Sequence, residues 1–413
     1  MEPRPIRVVR IIARLNIGGP AVHAVLLTAG LNNAEIQSTL IAGTVTPSEG
    51  DMMYFAQAHG VRPVYIPELG REISWKDDVV AFWKIWRLLC RERPHVVHTH
   101  TAKAGTVGRI AAVLAGVPVR IHTFHGHVFH SYFGLIKTRL FLLIERCLAA
   151  FTTKIVAISE AQLEDLAVRY RIAPKSKFCV IPLGLDLAPL LAISRGGDVL
   201  KAADFSTAIR IGFVGRLVPI KNPAMAVKIM ERLVQQKPCL RPIRLIVAGN
   251  GELKEALLEQ VREARLEEHV QFVGWQETLV EFYAGVDLAV LTSLNEGTPV
   301  ALIEAMAAGL SFVATRVGGI ENLMQSPREE FRRSDGRPLF GLYANGALAE
   351  SGDEEGFGAA VAYLLQDSAR RERMGQEGRR FAQKRFSKER LVNDTKALYW
   401  QCLQLSVGAQ GAL

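Results

Sequence analysis

Short apolar runs alternate with longer segments of helical periodicity along the chain, and the alternation falls into two similar halves. In the first half, residues 6–13, 37–42, 64–66, 96–100, 120–124 and 154–158 read as strands. Between them, residues 21–31, 51–60, 76–92, 104–115 and 135–150 read as helices, and Ser159 stands where a further helix is capped. Residues 188–207, with Gly196-Gly197 and no clear period, read as a linker. The pattern then restarts, with strands at 210–215, 244–249, 270–273, 288–291 and 312–315 and helices at 223–235, 252–265, 278–285 and 299–308. Residues 368–399 read as helical and highly charged.

Short strands alternating with helices imply an α/β fold with parallel, doubly wound sheets. The expected architecture is two Rossmann-like domains facing across a cleft. The expected boundaries are 1–187, the linker at 188–207, 208–385, and 386–413 as a C-terminal helix and tail returning to the first domain. Open parallel sheets bind ligands beyond the carboxyl ends of their strands, so two facing edges make a two-substrate site.

Composition narrows this picture only slightly. The 413 residues are 49% hydrophobic and 22% charged, as in a folded soluble protein. Arg7 and Arg10 interrupt the first apolar run, and no apolar stretch approaches the ~18 residues of a spanning helix. Cys90, Cys147, Cys179, Cys239 and Cys402 are odd in number and scattered. They read as buried, reduced thiols of a cytosolic protein rather than a disulfide framework or zinc ribbon. Charge is more informative. The net +9 divides into +8 over residues 1–190 (22 basic, 14 acidic) and +1 over 191–413 (28 basic, 27 acidic).

Candidate chemistry gathers at the predicted strand ends. Glu296 and Glu304 sit eight positions apart in Asn295-Glu296-Gly297-Thr298-Pro299-Val300 and the helix that follows. Pro299 suits the first turn of that helix, and the amides near Thr298, Pro299 and Val300 offer a positive helix end to an anion. Gly215-Arg216 and Lys221 follow the first strand of the second half, where a fork donor and a point charge suit a diphosphate. Gly249-Asn250-Gly251 follows the next strand, its glycines allowing close approach of a ligand, and Gly274 closes the strand after it. Each motif alone has a bland reading as loop or helix surface. Four in order at one sheet edge do not.

With Gly18-Gly19, these motifs resemble glycosyltransferase family 4, the retaining, sugar-nucleotide-dependent enzymes of GT-B fold. Glu304-Ala-Met-Ala-Ala-Gly309 and Val317-Gly318-Gly319-Ile320 fit the same pattern over roughly residues 6–400. His98-Thr-His-Thr-Ala-Lys-Ala-Gly105 and His122-Thr-Phe-His-Gly-His127 look most like the bacterial capsular and exopolysaccharide members. The resemblance implies a hexosyl- or N-acetylhexosaminyl-transferase using a nucleoside diphosphate sugar, UDP first, and a lipid-linked or saccharide acceptor. It implies that Arg216 and Lys221 hold the diphosphate, Glu304 the ribose, and Gly274 the base. Glu296 and His125 then contact the donor sugar, and Gly19 brings an amide to the diphosphate. Thr298-Pro299 replaces the phenylalanine common in the family, which leaves the donor sugar open.

Nine of ten histidines precede residue 131. His122, His125, His127 and His130 invite a metal reading, but no carboxylate or cysteine lies among them, and contact of His125 with donor or acceptor is the stronger reading. No Asp-x-Asp motif occurs, so no obligatory metal or other cofactor is expected. The basic first half carries Trp75, Trp83 and Trp86 with Lys76, Lys84, Arg87, Arg91 and Arg93, and Tyr132, Phe133, Lys137, Arg139 and Arg146. Such stretches suit either a packed helix with one basic face or an anionic membrane surface. The charged run from Arg370 to Arg390 reads as a solvated helix. Three rivals are a non-catalytic sugar-nucleotide binder, a nicotinamide-dependent dehydrogenase and a nucleic-acid binder. The dehydrogenase lacks the G-x-G-x-x-G spacing, and the paired motifs speak against nucleic acid as partner. The expected location is cytoplasmic, peripheral to the inner membrane face.

Overall fold

A computed structural model describes residues 5–46, 50–70, 74–126, 135–193 and 208–410. The chain divides into two compact units, Met1–Asp186 with Phe386–Leu413 and Leu187–Arg385. Residues 194–207 of the expected linker, with Gly196-Gly197, and His127, His130, Tyr132 and Phe133 lie outside the described residues.

The first unit runs β1 (Ile6–Arg14), α1 (Gly19–Leu31), β2 (Ile36–Gly43), α2 (Met53–Ala58), β3 (Val64–Tyr65), α3 (Trp75–Glu92) and β4 (Val96–His100). It continues through α4 (Ala102–Leu114), β5 (Val119–Phe124), α5 (Leu135–Phe151), β6 (Lys154–Ala157), α6 (Glu160–Glu164) and β7 (Phe178–Val180). All seven strands are parallel, in the order β3-β2-β1-β4-β5-β6-β7. The order reverses direction between β1 and β4, which is where such sheets open a crevice at their carboxyl edge. Strand β4 is buried throughout, so even its two histidines face the interior.

The second unit holds α7 (Ala188–Leu191), β8 (Ile209–Val214), α8 (Pro223–Gln236), β9 (Ile243–Ala248), α9 (Lys254–Glu263), β10 (Val270–Gly274), α10 (Val280–Ala284) and β11 (Leu288–Leu291). After these come α11 (Val300–Ala307), β12 (Phe312–Arg316), β13 (Pro327–Arg332), β14 (Pro338–Tyr343), β15 (Gly346–Glu350), α12 (Glu354–Leu365) and α13 (Ser368–Phe386). Its sheet order is β10-β9-β8-β11-β12-β15-β14-β13, with β14 antiparallel to both of its neighbours. The equivalent switch point lies between β8 and β11. Apolar faces of α8, α9 and α12 pack on this sheet around Phe213, Met225, Leu245 and Phe357.

Several local expectations need correction. Ala188–Leu191, the start of the predicted linker, is helical and belongs to the second unit. The charged helix over 368–399 is two helices, α13 and α14 (Lys388–Gln410), which Ser387 separates. Its charges are not simply solvated: Arg371 is buried and donates to the carbonyls of Leu364 and Leu365, closing the end of α12. Arg390 likewise donates to the carbonyls of Pro182 and Leu183. The thiols are not uniformly buried either. Cys90 and Cys147 are exposed, and Cys402 alone of the five is buried. Cys90 follows the inward stripe Ala81, Ile85 and Leu89 of α3 by one position, which turns it outward.

Helix α14 completes the first core. Its Leu391, Leu398, Tyr399 and Cys402 pack with Leu27, Leu31, Val96 and Val156. Gly184 is required for this contact, because a Cβ there would meet Leu391 Cβ at 2.5 Å. Between α4 and α5 a buried ion pair joins Arg109 to Glu145 Oε2 at 2.7 Å, and Arg109 Nε also donates to the carbonyl of Gly105.

Candidate functional site

The carboxyl edge of the second sheet brings together residues distant in sequence. After β8 the chain passes Arg216 and makes a 3₁₀ turn at Pro219–Lys221, and Asn222 in left-handed conformation (φ 47°) starts α8. After β11, Thr292 reaches across this turn and donates to the carbonyls of Lys221 and Asn222. Leu294 N donates to the carbonyl of Ile220. These bonds fix the two loops to each other, and Lys221 Nζ meets Glu296 Oε1 at 2.5 Å. Ser293 Oγ donates to the same oxygen at 2.6 Å. The Glu296 side chain is 8% exposed and that of Lys221 21%, so the pair is shielded yet reachable. Arg216 is exposed and forms no ion pair among the described residues.

Gly318 and Gly319, after β12, hold the Glu296 loop from the other side. Gly318 has φ +50°, and a Cβ on either glycine would overlap the carbonyl oxygens of Glu296 or Gly297. Gly319 N donates to the carbonyl of Glu296 at 3.1 Å. Gly249 and Gly251 act in the same way. Cβ atoms there would overlap the carbonyls of Gly215 and Leu217, so these glycines let the chain approach itself rather than a ligand. Asn250 is exposed between them, and its carbonyl accepts from Leu217 N. Gly274 (φ +71°) has open space where a side chain would stand, and its carbonyl accepts from Gly249 N.

Helix α11 begins at Val300, with Pro299 as its extended N-cap (ψ 109°) rather than inside its first turn. Pro299 is buried, and Thr298 and Val300 are half-buried. One turn on, Glu304 Oε2 accepts from Tyr283 Oη at 3.2 Å, and the same hydroxyl donates to the carbonyl of Ala301. Burial pushes the Glu304 carboxyl up to about 7, against the lowering effect of the tyrosine.

The carboxyl edge of the first sheet is built from histidines. Gly18 precedes α1 as its N-cap, and Gly19 and Pro20 open the helix, which carries buried His23. His98 and His100 share one face of β4 and stack with centroids 4.4 Å apart. His98 is pinned on both nitrogens, by Tyr399 Oη and by Thr123 Oγ1, each at 2.6 Å. Tyr399 also accepts from buried Arg10 at 2.9 Å. His122 points elsewhere, to Thr99 Oγ1 at 2.9 Å. His125 Nε2 lies 2.9 Å from His100 Nδ1, and its ring packs edge-on to His23 at 4.8 Å. Burial pushes the His125 imidazole down to about 3.

The description "Glycosyl transferases group 1" matches residues 201–381, and "Glycosyl transferase 4-like domain" matches residues 18–184. The UDP-Gal:alpha-D-GlcNAc-diphosphoundecaprenol alpha-1,3-galactosyltransferase of Escherichia coli is 30% identical over 278 residues, 66% of this chain and 70% of that protein. The chain belongs to glycosyltransferase family 4. The capsular polysaccharide biosynthesis glycosyltransferase CapM of Staphylococcus aureus is 23% identical over 356 residues, 83% of this chain and 86% of that protein. Among solved structures, Anabaena Alr3699/HepE in complex with UDP superposes with a TM-score of 0.76 at 17% identity, covering 96% of this chain and all of that one. The two Rossmann-like units are thus those of the GT-B fold.

In this family 4 glycosyltransferase the sequence motifs single out Lys221, Glu296 and Glu304, and the structure supplies their partners. Ser293 and Tyr283 hold the two carboxylates, yet neither carries a signal in sequence. Ser293 precedes the recognisable motif at Asn295 by two positions, and Tyr283 is an ordinary aromatic of α10. His23 was equally silent, because a lone histidine in an apolar helix looks like core.

Glu304 gives a pH-dependent expectation. Its carboxyl value is raised in the fold from the ordinary 4.5 to about 7. Folding therefore favours the protonated form, and ionising the group removes stability as pH rises between those two values. Glu304→Gln should abolish that component. At pH 8 the variant should melt higher than the wild type by roughly 2–4 °C per kcal/mol recovered, with little difference at pH 4.5. Equal melting shifts at both pH values would show the carboxyl to be ordinary.

Proposed function

We propose that the protein is a retaining transferase that moves a hexosyl or N-acetylhexosaminyl group from a UDP-sugar to a lipid-linked diphosphate saccharide, in cell-surface polysaccharide synthesis. The observation that carries this reading is the Lys221–Glu296 pair, locked at the switch point between β8 and β11. A fixed cation there meets the diphosphate, and Arg216, free of ion pairs among the described residues, adds a fork donor from the adjoining loop. With these two cations on the leaving group, the transfer itself calls for no metal at the diphosphate. Glu296 contacts the donor sugar, Glu304 the ribose, and Gly274 leaves room for the base. By the family resemblance Gly18 and Gly19, which open α1, and His125 also belong to the donor contacts. No side chain is assigned as nucleophile. The leaving phosphate deprotonates the acceptor on the same face, and the protein contributes orientation and charge stabilisation. The galactosyltransferase of Escherichia coli named above supports the donor and acceptor classes, since its name gives UDP-Gal and a diphosphoundecaprenol-linked sugar.

A membrane-facing surface fits a lipid-linked acceptor. Helix α4 lies between α3 and α5, and all three turn apolar residues outward: Trp75, Val79 and Trp83, then Ile110 and Leu114, then Leu140 and Leu143. Exposed Lys76, Arg87, Arg91 and Arg139 lie on the same helices. No helix among the described residues is long and apolar enough to cross a membrane. The test is transfer from a panel of UDP-sugars to a diphospholipid-linked sugar in anionic vesicles, with the product anomer read by NMR. Transfer with retained α configuration and sedimentation with anionic but not neutral vesicles are expected. An inverted product, or no turnover of any UDP-sugar, would overturn the reading.

A further inference from the structure

One ring nitrogen each of His23, His100 and His125 lie within 4.8 Å of one another. They arrive from α1, from the last residue of β4 and from the residue after β5, at the switch point of the first sheet. His23 is 2% exposed and His100 0%. His23 Nδ1 is buried with no hydrogen-bond partner among the described residues. A buried polar atom is rarely left unpaired, because its lost hydration is not replaced. In a three-histidine cluster such an atom points to a ligand. We propose that His23, His100 and His125 form a three-imidazole site for a divalent transition ion of the zinc class.

Such ions bind neutral imidazole, and burial lowers the protonation of all three rings. The cluster contains no carboxylate, which favours ions that prefer nitrogen and disfavours magnesium and calcium. Tetrahedral bonds of ~2.0–2.1 Å place ligand nitrogens roughly 3.3 Å apart. His100 Nδ1 and His125 Nε2 stand 2.9 Å apart, near that spacing, and an ion bound by these two atoms takes the place of the hydrogen bond between them. His100 is held in place by the stack on His98, which Thr123 and Tyr399 pin in turn. Arg10, on the far side of Tyr399, acts on His23 and His100, and Arg390 acts on His23; both are cations that weaken the site. Three imidazoles leave one tetrahedral position for water or an oxygen of a bound anion. The ion is held by the first unit alone, and because it takes up the His125 ring, any contact of His125 with the sugar falls to its backbone carbonyl.

The test uses the full-length, tag-free protein, stripped with a chelator and titrated with Co²⁺. The expected result is one equivalent bound with visible d–d absorption, displaced by Zn²⁺ and not by Mg²⁺. His23→Leu and His100→Gln should each weaken binding by at least about 100-fold, beyond the loss of an outer-shell partner. His59→Ala, a change at a histidine bonded to the carbonyl of Phe55 in α2, should leave it intact. Should a cluster variant fail to fold, the wild type still decides, because saturating Zn²⁺ should raise its melting temperature and Mg²⁺ should not. No Co²⁺ spectrum in the wild type, a thiolate charge-transfer band, or unchanged affinity in folded His100→Gln would overturn the proposal.

Discussion

Lys221→Ala is expected to weaken UDP binding by on the order of 100-fold while the protein stays folded. Two effects act in the same direction. The ammonium that charge-assists bonds to the diphosphate is lost, worth about 1.5–3 kcal/mol, or roughly 10–150-fold. Glu296 then keeps only the Ser293 hydroxyl on its Oε1, and its uncompensated charge repels the incoming phosphates. The fold should tolerate the change, because the turn at Pro219–Lys221 is held through backbone carbonyls that accept from Thr292 and Leu294, not through the lysine side chain. Lys221→Arg should recover only part of the loss, since a planar fork does not sit where a point charge meets one carboxylate oxygen. Calorimetric titration with UDP checks this. Unchanged affinity in a folded Lys221→Ala protein would remove the pair from the donor site.

Glu296→Gln should show the opposite signature. The amide keeps the shape of the side chain and removes its charge. UDP affinity should stay level or rise, because Lys221 is no longer shared with a carboxylate. Turnover should nevertheless fall by about 10²–10³, the loss typical of removing one preorganised electrostatic contact to a transition state. The loop around residue 296 should keep its place, since Gly319 N bonds its carbonyl and Thr315 Oγ1 bonds that of Ser293. Steady-state kinetics beside UDP titration separates the two variants: one loses binding, the other loses kcat. A Glu296→Gln enzyme with wild-type kcat would assign the carboxylate to loop structure alone.

Much of the fold was legible because its signals are local. The βα alternation, the limits of β4 and β11, and the Ser159 cap, whose Oγ accepts from Gln162 N, all follow from period and capping chemistry within a few residues. The β13–β14 hairpin was not legible. Strand β13, Pro-Arg-Glu-Glu-Phe-Arg, is an edge exposed at every position but Phe331, so no buried face imposes a period. Gly249 and Gly251 were legible as special but not for the right reason, since their tight space is filled by the carbonyls of Gly215 and Leu217, over thirty residues away.

Sequence by itself determined that this chain has two repeating α/β halves, that motifs of glycine, paired cations and paired carboxylates follow the strands of the second half, and that the family is that of these glycosyltransferases. Tertiary structure alone decided which groups meet. It joined Lys221 to Glu296, Glu304 to Tyr283, and His23 to His100 and His125. It also carried Tyr399 from the C-terminal helix to His98 and Arg10 of the first sheet. Periodicity reports which face of an element is buried, because that depends on neighbours one turn away. It does not report what lies across the interface, because that partner is set by strand order and by loops that cross between strands.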